Sequence, residues 1–263
     1  MEKRNIWSEP CEVRFSAIDK SDTMTLDAAF HFFQEAAISH AENLGVGREA
    51  MARTNQVWLL SRMSVQIDRR PQYGEMVTVR TWPRGWEKLF ALRDFDIRDA
   101  EDKPAVRARS CWVIIDLEKR RPLRPHSIMD IMPHNDGLDA LPSAPGLAEN
   151  VSLEKKSELR ALYTDLDYNG HVNNVSYIRW IENIIDPALL ENARRMRLDI
   201  NYMNEILPGE LTGIWCAPIA LQPAATTPAA AMPDMPVPLH AYAFEGKKEP
   251  NKLAAFRAEL RLW

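Results

Sequence analysis

The sequence contains few cysteines, no long apolar run and no excess of positive charge. Its three cysteines, Cys11, Cys111 and Cys216, are odd in number, far apart and without the close spacing of metal ligands, which favours reduced thiols in a cytosol. No apolar stretch is long enough to span a bilayer. The formal net charge of -4 gives no electrostatic reason to expect a nucleic-acid partner.

What is present is the composition of a soluble globular protein, with 46% hydrophobic and 27% charged residues. The 263 residues allow one large domain or two domains of ordinary size. The first ten residues, MEKRNIWSEP, lack the apolar core of a signal peptide and the Arg/Ser bias of a transit peptide, so we expect a cytoplasmic protein.

The first half begins with a helix pattern and continues with strand patterns. Residues 25–44 place apolar side chains at helical spacing, and Gly45 follows as a C-terminal cap. In WLLSRMSVQID, the apolar residues Met63, Val65 and Ile67 alternate with polar ones, which predicts a half-buried strand. Further strand candidates are EMVTVRTW, FALRDFDIRD and RARSCWVIIDL.

The same order returns in the second half. A helix over about 173–192, kinked or ended by Pro187, precedes the strand candidates RLDINYM, HAYAFEG and LAAFRAELRLW. The segment around Asp19 aligns with the segment around Asp167 (167 − 19 = 148), and RRPQYGEM aligns with NEILPGEL at a second offset (209 − 74 = 135). Two matched blocks in the same order indicate a tandem duplication, in which each copy is a long helix wrapped by a curved antiparallel sheet, an α+β fold.

We expect three segments along the chain. Residues 1–120 and 151–263 are the predicted N-terminal and C-terminal units, and 121–150, rich in Pro, Asp and Ser, is the predicted linker that crosses between them. Joining the two sheets side by side would cover the flank that each unit leaves exposed. Residues 217–238 hold six of the 18 prolines, which is typical of a surface loop between strands.

The segment DLDYNGHVNN, residues 165–174, gathers short polar side chains immediately before the second helix. Its simplest role is to cap that helix through Asp167 or Asn173. The same position suits an active site, because Asp167, Asn169 and His171 would point to one side of an extended segment. A free backbone N–H at residues 172–174 would then meet a carbonyl oxygen at the positive end of the helix dipole. The residues alone leave both interpretations open.

The longer segment DLDYNGHVNNVSYIRWIEN closely resembles the signature of acyl-acyl carrier protein thioesterases, which are tandem hotdog-fold enzymes. WLLSRM, SCWVIIDLEKRRPLR and NYMNEILPGE resemble further segments of that family in the expected order. The resemblance implies a double hotdog fold and hydrolysis of fatty acyl-acyl carrier protein, which releases free fatty acid and ends chain elongation. It implies that Asp167, Asn169 and His171 are catalytic, with Glu205 as their partner from the sheet, and that no cofactor or metal is needed. Acyl carrier protein is the implied partner, and the sequence is compatible with a homodimer without fixing the oligomeric state.

The sequence departs from plant members of the family in two ways. Ile206 stands where they carry a cysteine after the glutamate, which excludes a cysteine nucleophile at this position. The start of the chain also lacks their plastid-targeting extension, which favours a bacterial, cytoplasmic type. Alternate residues of a strand face opposite sides of the sheet, so Glu205 should face away from the side on which Leu198, Ile200 and Tyr202 lie. A bulge or the end of the strand must therefore turn it inward.

The first half serves as an internal comparison. It keeps Asp19, but Ser21 and Thr23 stand where the second half has Asn169 and His171, and Arg70 stands opposite Glu205 (205 − 70 = 135). We therefore expect one active site per chain, in the C-terminal unit. The resemblance assigns the acyl pocket mainly to the first unit.

Several alternatives stay open from the sequence. Water activated by Glu205 or a carboxylate such as Asp167 could attack the thioester. An acyl-coenzyme A thioesterase would use the same chemistry, and a non-catalytic acyl-binding protein of the same fold is a further alternative. Phe30, Phe33 and Trp58 are expected in the core. Arg194, Arg195 and Arg197 are expected on a solvated face, with contact to an acidic carrier protein as the alternative.

Overall fold

The computed structural model describes residues 2–123, 126–150, 152–221 and 236–263. The first half contains six strands and three α-helices in these residues. In chain order they are β1 (Trp7–Glu12), α1 (Leu26–Leu44), α2 (Arg48–Arg53), β2 (Gln56–Ile67), β3 (Met76–Glu87), β4 (Phe90–Arg98), β5 (Pro104–Asp116), β6 (Arg121–Leu123) and α3 (His126–Met129).

The second half repeats the plan with a strand before its central helix and four strands after it. The elements are β7 (Glu154–Arg160), α4 (Asn174–Glu182), α5 (Pro187–Asn192), β8 (Met196–Tyr202), β9 (Leu211–Pro218), β10 (His240–Lys248) and β11 (Leu253–Leu262). The order of a helix followed by strands is as predicted in both halves, whereas β1, β6, β7 and β9 were not predicted.

All the strands join one antiparallel sheet, and its order shows the duplication. The sheet runs β1-β3-β4-β5-β2-β8-β11-β10-β9-β7, with β6 paired to β5. The centre is the seam between β2 and β8, where six register pairs run from Arg62 opposite Asn201 to Ile67 opposite Met196. Reading outward from this seam, the second half repeats the strand order of the first. The predicted continuous sheet is therefore present, while the division at residues 120 and 150 stays a prediction.

Helix α1 forms as its sequence predicts. The Thr25 side chain accepts a hydrogen bond from the Ala28 N–H at the start, and Gly45 ends the helix in the left-handed conformation (φ 77°) that glycine adopts without strain. Phe30 and Phe33 are buried in the main core, as predicted. Trp58 is only partly buried, in a smaller cluster, where its Nε1–H donates to the Val46 carbonyl oxygen (2.9 Å).

Helix α4 is shorter than predicted, because the expected helix over 173–192 is two helices. Asn183 ends α4, and Pro187 occupies the first turn of α5 behind the capping side chain of Asp186. Proline suits this position since the first-turn N–H has no partner within the helix. Pro187 thus begins a new helix after the first has ended.

The two central helices pack against each other in antiparallel directions. Arg179 on α4 donates to Asp27 (3.0 Å) and lies 2.6 Å from His31 Nε2 on α1. One turn further along α4, Glu182 accepts a hydrogen bond from the Leu26 N–H at the start of α1 (3.1 Å). The inner face of the sheet wraps around this helix pair and forms the main hydrophobic core.

The outer face of the central strands is also buried, which corrects the prediction of a half-buried β2. Ser64 and Gln66 have no exposed surface, and Ser64 hydrogen-bonds to Asp199 on the neighbouring β8. The predicted linker lies across this face, since Asn201 donates to the Pro145 carbonyl oxygen (2.9 Å) and accepts from the Leu147 N–H (2.8 Å). The sequence pattern suggested solvent on this face because it could not show where the linker runs.

Two further predictions concern the surface. Arg194 and Arg195 are exposed, but Arg197 is buried on the outer face of β8 and pairs with Asp199 (3.0 Å), so the prediction of a solvated face is wrong for Arg197. In the proline-rich segment 217–238, β9 continues to Pro218, and residues 222–235 lie outside the described residues.

Among the described residues, no helix combines the length and apolar character that a membrane crossing needs.

Candidate active site

The segment before α4 forms a tight turn. A bridge pairs Leu166 with Val172, and between them the Asp167 N–H donates to the His171 carbonyl oxygen (2.8 Å). Gly170 adopts φ 76°, a left-handed conformation that favours glycine. The prediction of an extended segment is therefore wrong, because a turn sets the positions of Asp167, Asn169 and His171.

The side chain of Asp167 organises this turn. Its Oδ1 accepts the Asn169 N–H (2.8 Å) and the His171 N–H (3.3 Å), and its Oδ2 accepts the side-chain amide of Asn169 (3.3 Å). An aspartate that accepts backbone N–H groups two and four residues ahead holds the local chain in one conformation. Asp167 thereby fixes Asn169 and the backbone of His171.

The side chain of His171 lies beside Glu205, as the resemblance implies. His171 Nε2 is 3.5 Å from Glu205 Oε2, and the two side chains are 40% and 44% exposed. Strand β8 ends at Tyr202, so the alternation of side chains along the strand does not fix the direction of the Glu205 side chain. Of the two possibilities predicted for Glu205, the structure shows the end of the strand, after which the exposed side chain of Glu205 faces His171.

The residue after Glu205 connects the two segments of the site. Ile206 is fully buried, and its carbonyl oxygen accepts the Val172 N–H (2.9 Å). This backbone hydrogen bond holds the end of the strand against the turn. Ile206 therefore contributes to the site through its backbone, while its side chain belongs to the core.

The start of α4 carries one unused donor. The Asn173 side chain caps the helix by accepting the Val175 N–H (3.0 Å), so the capping interpretation is confirmed for Asn173. The Val172 and Asn173 N–H groups are both paired with carbonyl oxygens, whereas the Asn174 N–H has no hydrogen-bond partner among the described residues. A free N–H at the positive end of a helix dipole attracts an anionic oxygen.

The corresponding turn of the first half is closed by an ion pair. Asp19 pairs with Arg70, and Ser21 Oγ donates to Asp19 Oδ1 (2.5 Å). Although partial burial alone would raise it, the hydrogen bonds from Ser21 and Arg70 lower the pKa of Asp19. Arg70 also donates to the Met24 carbonyl oxygen (2.8 Å). This turn therefore holds a structural ion pair in place of the groups around His171.

Two arginines near the site were not singled out from the sequence. The Arg48 guanidinium lies over the ring of Tyr168 in the turn (4.4 Å to the centroid), and Arg120 Nη2 is 3.7 Å from Glu205 Oε1. Both come from the first half; Arg120 lies in the segment SCWVIIDLEKRRPLR that resembles the family, whereas no pattern in the sequence marks Arg48. Within the described parts of the chain, no group of histidine, cysteine, aspartate and glutamate has the arrangement of a metal site.

Comparisons with known proteins agree on one family. A family model for the acyl-ACP thioesterase N-terminal domain matches residues 4–131, and a model for the acyl-ACP thioesterase C-terminal domain matches residues 148–231. The palmitoyl-acyl carrier protein thioesterase of Gossypium hirsutum is 30% identical over 219 residues, which are 76% of this chain and 52% of that protein. The oleoyl-acyl carrier protein thioesterase 2 of Arabidopsis thaliana is 28% identical, over 78% of this chain and 61% of that protein. The chain spans about half the length of the first curated relatives it matches.

Solved structures resemble the whole described fold. The acyl-ACP thioesterase of Bacteroides thetaiotaomicron is 24% identical, with a TM-score of 0.80 over 98% of both chains. The 12:0-ACP thioesterase of Umbellularia californica is 18% identical, with a TM-score of 0.78 over 98% of this chain and 94% of that chain. The prediction of a double hotdog fold is thereby confirmed.

Proposed function

Because the chain belongs to the family of acyl-acyl carrier protein thioesterases, we propose that it hydrolyses fatty acyl-acyl carrier protein and releases the free fatty acid. The observation that carries this proposal is the His171–Glu205 contact beside the unpaired Asn174 N–H. Thioester hydrolysis needs a base for water, a proton for the leaving thiolate and a donor for the oxyanion. Glu205, His171 and the Asn174 N–H can supply the base, the proton and the donor, in this order.

In the proposed reaction, Glu205 removes a proton from a water molecule, and the resulting hydroxide attacks the thioester carbonyl carbon. The carbonyl oxygen becomes an oxyanion and accepts the Asn174 N–H. When the carbon–sulfur bond breaks, the proton passes from Glu205 through His171 to the thiolate, so the products are one carboxylic acid and one thiol. The 3.5 Å separation between the two side chains supports this proton path, since a small closure brings them to hydrogen-bond distance.

Asp167 and Asn169 have supporting roles in this proposal. Both oxygens of Asp167 already accept hydrogen bonds from its own turn, which favours an orienting role over direct attack on the substrate. Asn169 is held by Asp167, and the groups of its side-chain amide that Asp167 does not bind position the attacking water. We therefore favour attack by water over attack by a carboxylate.

The partner in this proposal is an acyl carrier protein that carries the fatty acyl chain. An acyl-coenzyme A thioesterase would use the same chemistry but would recognise coenzyme A in place of the carrier protein. The deciding experiment measures kcat/KM for acyl-acyl carrier protein and acyl-coenzyme A substrates of matched and graded chain length. A higher kcat/KM for the coenzyme A thioesters would replace the proposed substrate. Binding of acyl chains without turnover of either would indicate a non-catalytic acyl-binding protein. The cytoplasmic location stays a prediction from the sequence, with which a homodimer is compatible.

Two substitutions test the proposed chemistry. His171→Ala should lower kcat by about a hundredfold or more, the usual scale for an acid–base group. Glu205→Gln should do the same, because it keeps the shape of the side chain but removes the base. Circular dichroism must show both variants to be folded. Full activity in folded Glu205→Gln would show that another group is the base.

A further inference from the structure

The starts of the two central helices have equivalent backbone hydrogen bonds. In each unit, the last two N–H groups before the helix donate to carbonyl oxygens of the same two neighbouring segments. The pairs are Met24 with Pro71 (2.8 Å) and Thr25 with Ala17 (3.0 Å) in the first unit, and Val172 with Ile206 (2.9 Å) and Asn173 with Asp165 (2.8 Å) in the second. The two helix starts can therefore be compared group by group.

The two units differ at the next N–H, the first of each helix. In the first unit, the Leu26 N–H donates to the carboxyl group of Glu182 (3.1 Å), which reaches across from α4. In the second unit, the equivalent Asn174 N–H (174 − 26 = 148) has no hydrogen-bond partner in the described part of the chain. Desolvation, and then the nearby charge of Asp27, raise the pKa of Glu182 to about 8. One helix start is therefore closed by a carboxyl group, and the other is open.

The contact between Arg179 and His31 locates the two-fold axis that relates the units. These residues are equivalent (179 − 31 = 148), and they touch each other at 2.6 Å between α4 and α1. Two equivalent residues that contact each other must lie on the axis. Each position of the two helices on one side of this pair therefore has an equivalent position on the other side, even where the contacts differ.

The counterpart of Glu182 is Gln34 (182 − 34 = 148). Since Glu182 faces the Leu26 N–H, the symmetry indicates that Gln34 lies on the part of α1 next to the equivalent Asn174 N–H. Helix geometry gives the same result, because Asp27, His31 and Gln34 are spaced by four and three residues and so lie on one face of α1. Asp27 and His31 both contact α4 from that face.

We propose that Gln34, contributed by the first unit, is a catalytic residue of the site at the start of α4, where its side-chain NH₂ donates a hydrogen bond to the thioester carbonyl oxygen. This inference rests on the proposed function. Gln34 is partly buried, and its side chain has no hydrogen-bond partner within the described residues. It is neutral and can donate, whereas an ionised carboxylate at this position could only accept.

The difference between Gln34 in the first unit and the equivalent Glu182 in the second has a chemical consequence. The Asn174 N–H and the Gln34 amide together form two donors for the oxyanion, the usual composition of an oxyanion hole. At the other helix start, the carboxyl group of Glu182 occupies the place that an oxyanion would take. The second unit can therefore stabilise a negative transition state, and the first cannot.

The test uses three variants of the full chain. Gln34→Ala should lower kcat by about a hundredfold, the cost of one oxyanion donor, with KM changed by less than about threefold because the bond strengthens in the transition state. Gln34→Glu should lose at least as much, since its carboxylate accepts the Asn174 N–H and repels the oxyanion. Glu182→Gln is the matched control, and its kcat should stay within about threefold of the wild type. Wild-type kcat in folded Gln34→Ala, or an equal loss in Glu182→Gln, would overturn the proposal.

Hydrogen exchange provides a readout that does not depend on activity. In the wild type, the Leu26 amide should exchange slowly and the Asn174 amide rapidly, because only the first is hydrogen-bonded. Gln34→Glu should slow exchange at Asn174. An unchanged rate would show that residue 34 does not face that N–H, and would overturn the proposal. If the wild type hydrolyses no thioester, the proposed function fails, and the exchange rates still decide where Gln34 lies.

Discussion

Replacing Asp94 by asparagine should strongly destabilise the fold, because it removes one partner of a buried ion pair. Asp94 on β4 has no exposed surface and makes two hydrogen bonds of 2.6 Å with Arg109 on β5, which is 6% exposed. Asp94 also accepts the Ala140 N–H (2.9 Å) from the segment that crosses the outer face. In Asp94→Asn, the buried guanidinium keeps a single charged partner, Asp139, whose side chain is 48% exposed.

Breaking a buried ion pair by removing one partner costs about 3–5 kcal/mol. For a chain of this size, each kcal/mol lowers the midpoint of thermal unfolding by roughly 2–4 °C, so a decrease of about 6–20 °C is expected. Urea and thermal unfolding followed by circular dichroism would measure this change. The double variant Asp94→Asn/Arg109→Gln should be less destabilised than the sum of the two single variants, because the second change removes the uncompensated charge.

The matched control is Asp136→Asn. Asp136 also forms an ion pair with an arginine, Arg84 (2.9 Å), but its side chain is 86% exposed. Solvent screening makes such pairs weak, so the midpoint should hardly move. Equal midpoints for Asp94→Asn and Asp136→Asn would refute the conclusion that the buried Asp94–Arg109 pair stabilises the fold more than an exposed pair does.

Three further predictions follow from the site and the core. Asp19→Asn should keep kcat within about threefold of the wild type, since Arg70 in place of a base prevents a complete catalytic set in the first unit; a loss as large as that of His171→Ala would contradict one site per chain. Chelators should leave hydrolysis unchanged, because the described residues contain no metal-type cluster; a loss that a divalent metal restores would contradict this. Burial, and then the Arg93 guanidinium, lower the pKa of His40 from 6.5 to about 4. The unfolded chain therefore binds more protons between these values, and stability should decrease as the pH falls from 6.5 towards 4, by up to roughly 3 kcal/mol. Unfolding curves of His40→Gln should lack this slope, and an identical slope would show that other groups cause it.

The sequence predicted best where local patterns and tertiary structure agree. The helical spacing of residues 25–44 with Gly45 as the C-terminal cap was sufficient to predict α1, and the alternation in β2 was sufficient to predict a strand, although not the burial of both its faces. The outer strands β1 and β7 were not predicted, because each lies at an edge of the sheet and needs few apolar residues. Pro10 in β1 and the charged sequence EKKSELR of β7 suit edge strands, and the same features are typical of loops.

The site was predictable in its residues and less so in its geometry. The resemblance pointed to His171 and Glu205, and the structure brings their side chains within 3.5 Å. The sequence could not show that β8 ends at Tyr202, so the direction of Glu205 stayed open. It also could not show which N–H at the helix start stays free, because the partners of Val172 and Asn173 come from distant segments. The catalytic roles of these residues stay predictions until the variants are assayed.

The seam between β2 and β8 joins two halves of a single chain, and this covalent connection changes what mutation can do. In a dimer of identical subunits, every substitution appears twice, so a residue that suits one helix start is imposed on the other. Here Gln34 and Glu182 occupy equivalent positions and can change independently. The local concentration of each half around the other is also fixed by the linker, so dilution does not separate them. Under the proposed function, one half is then free to lose its chemistry and to specialise in binding the substrate, while the other keeps the reaction.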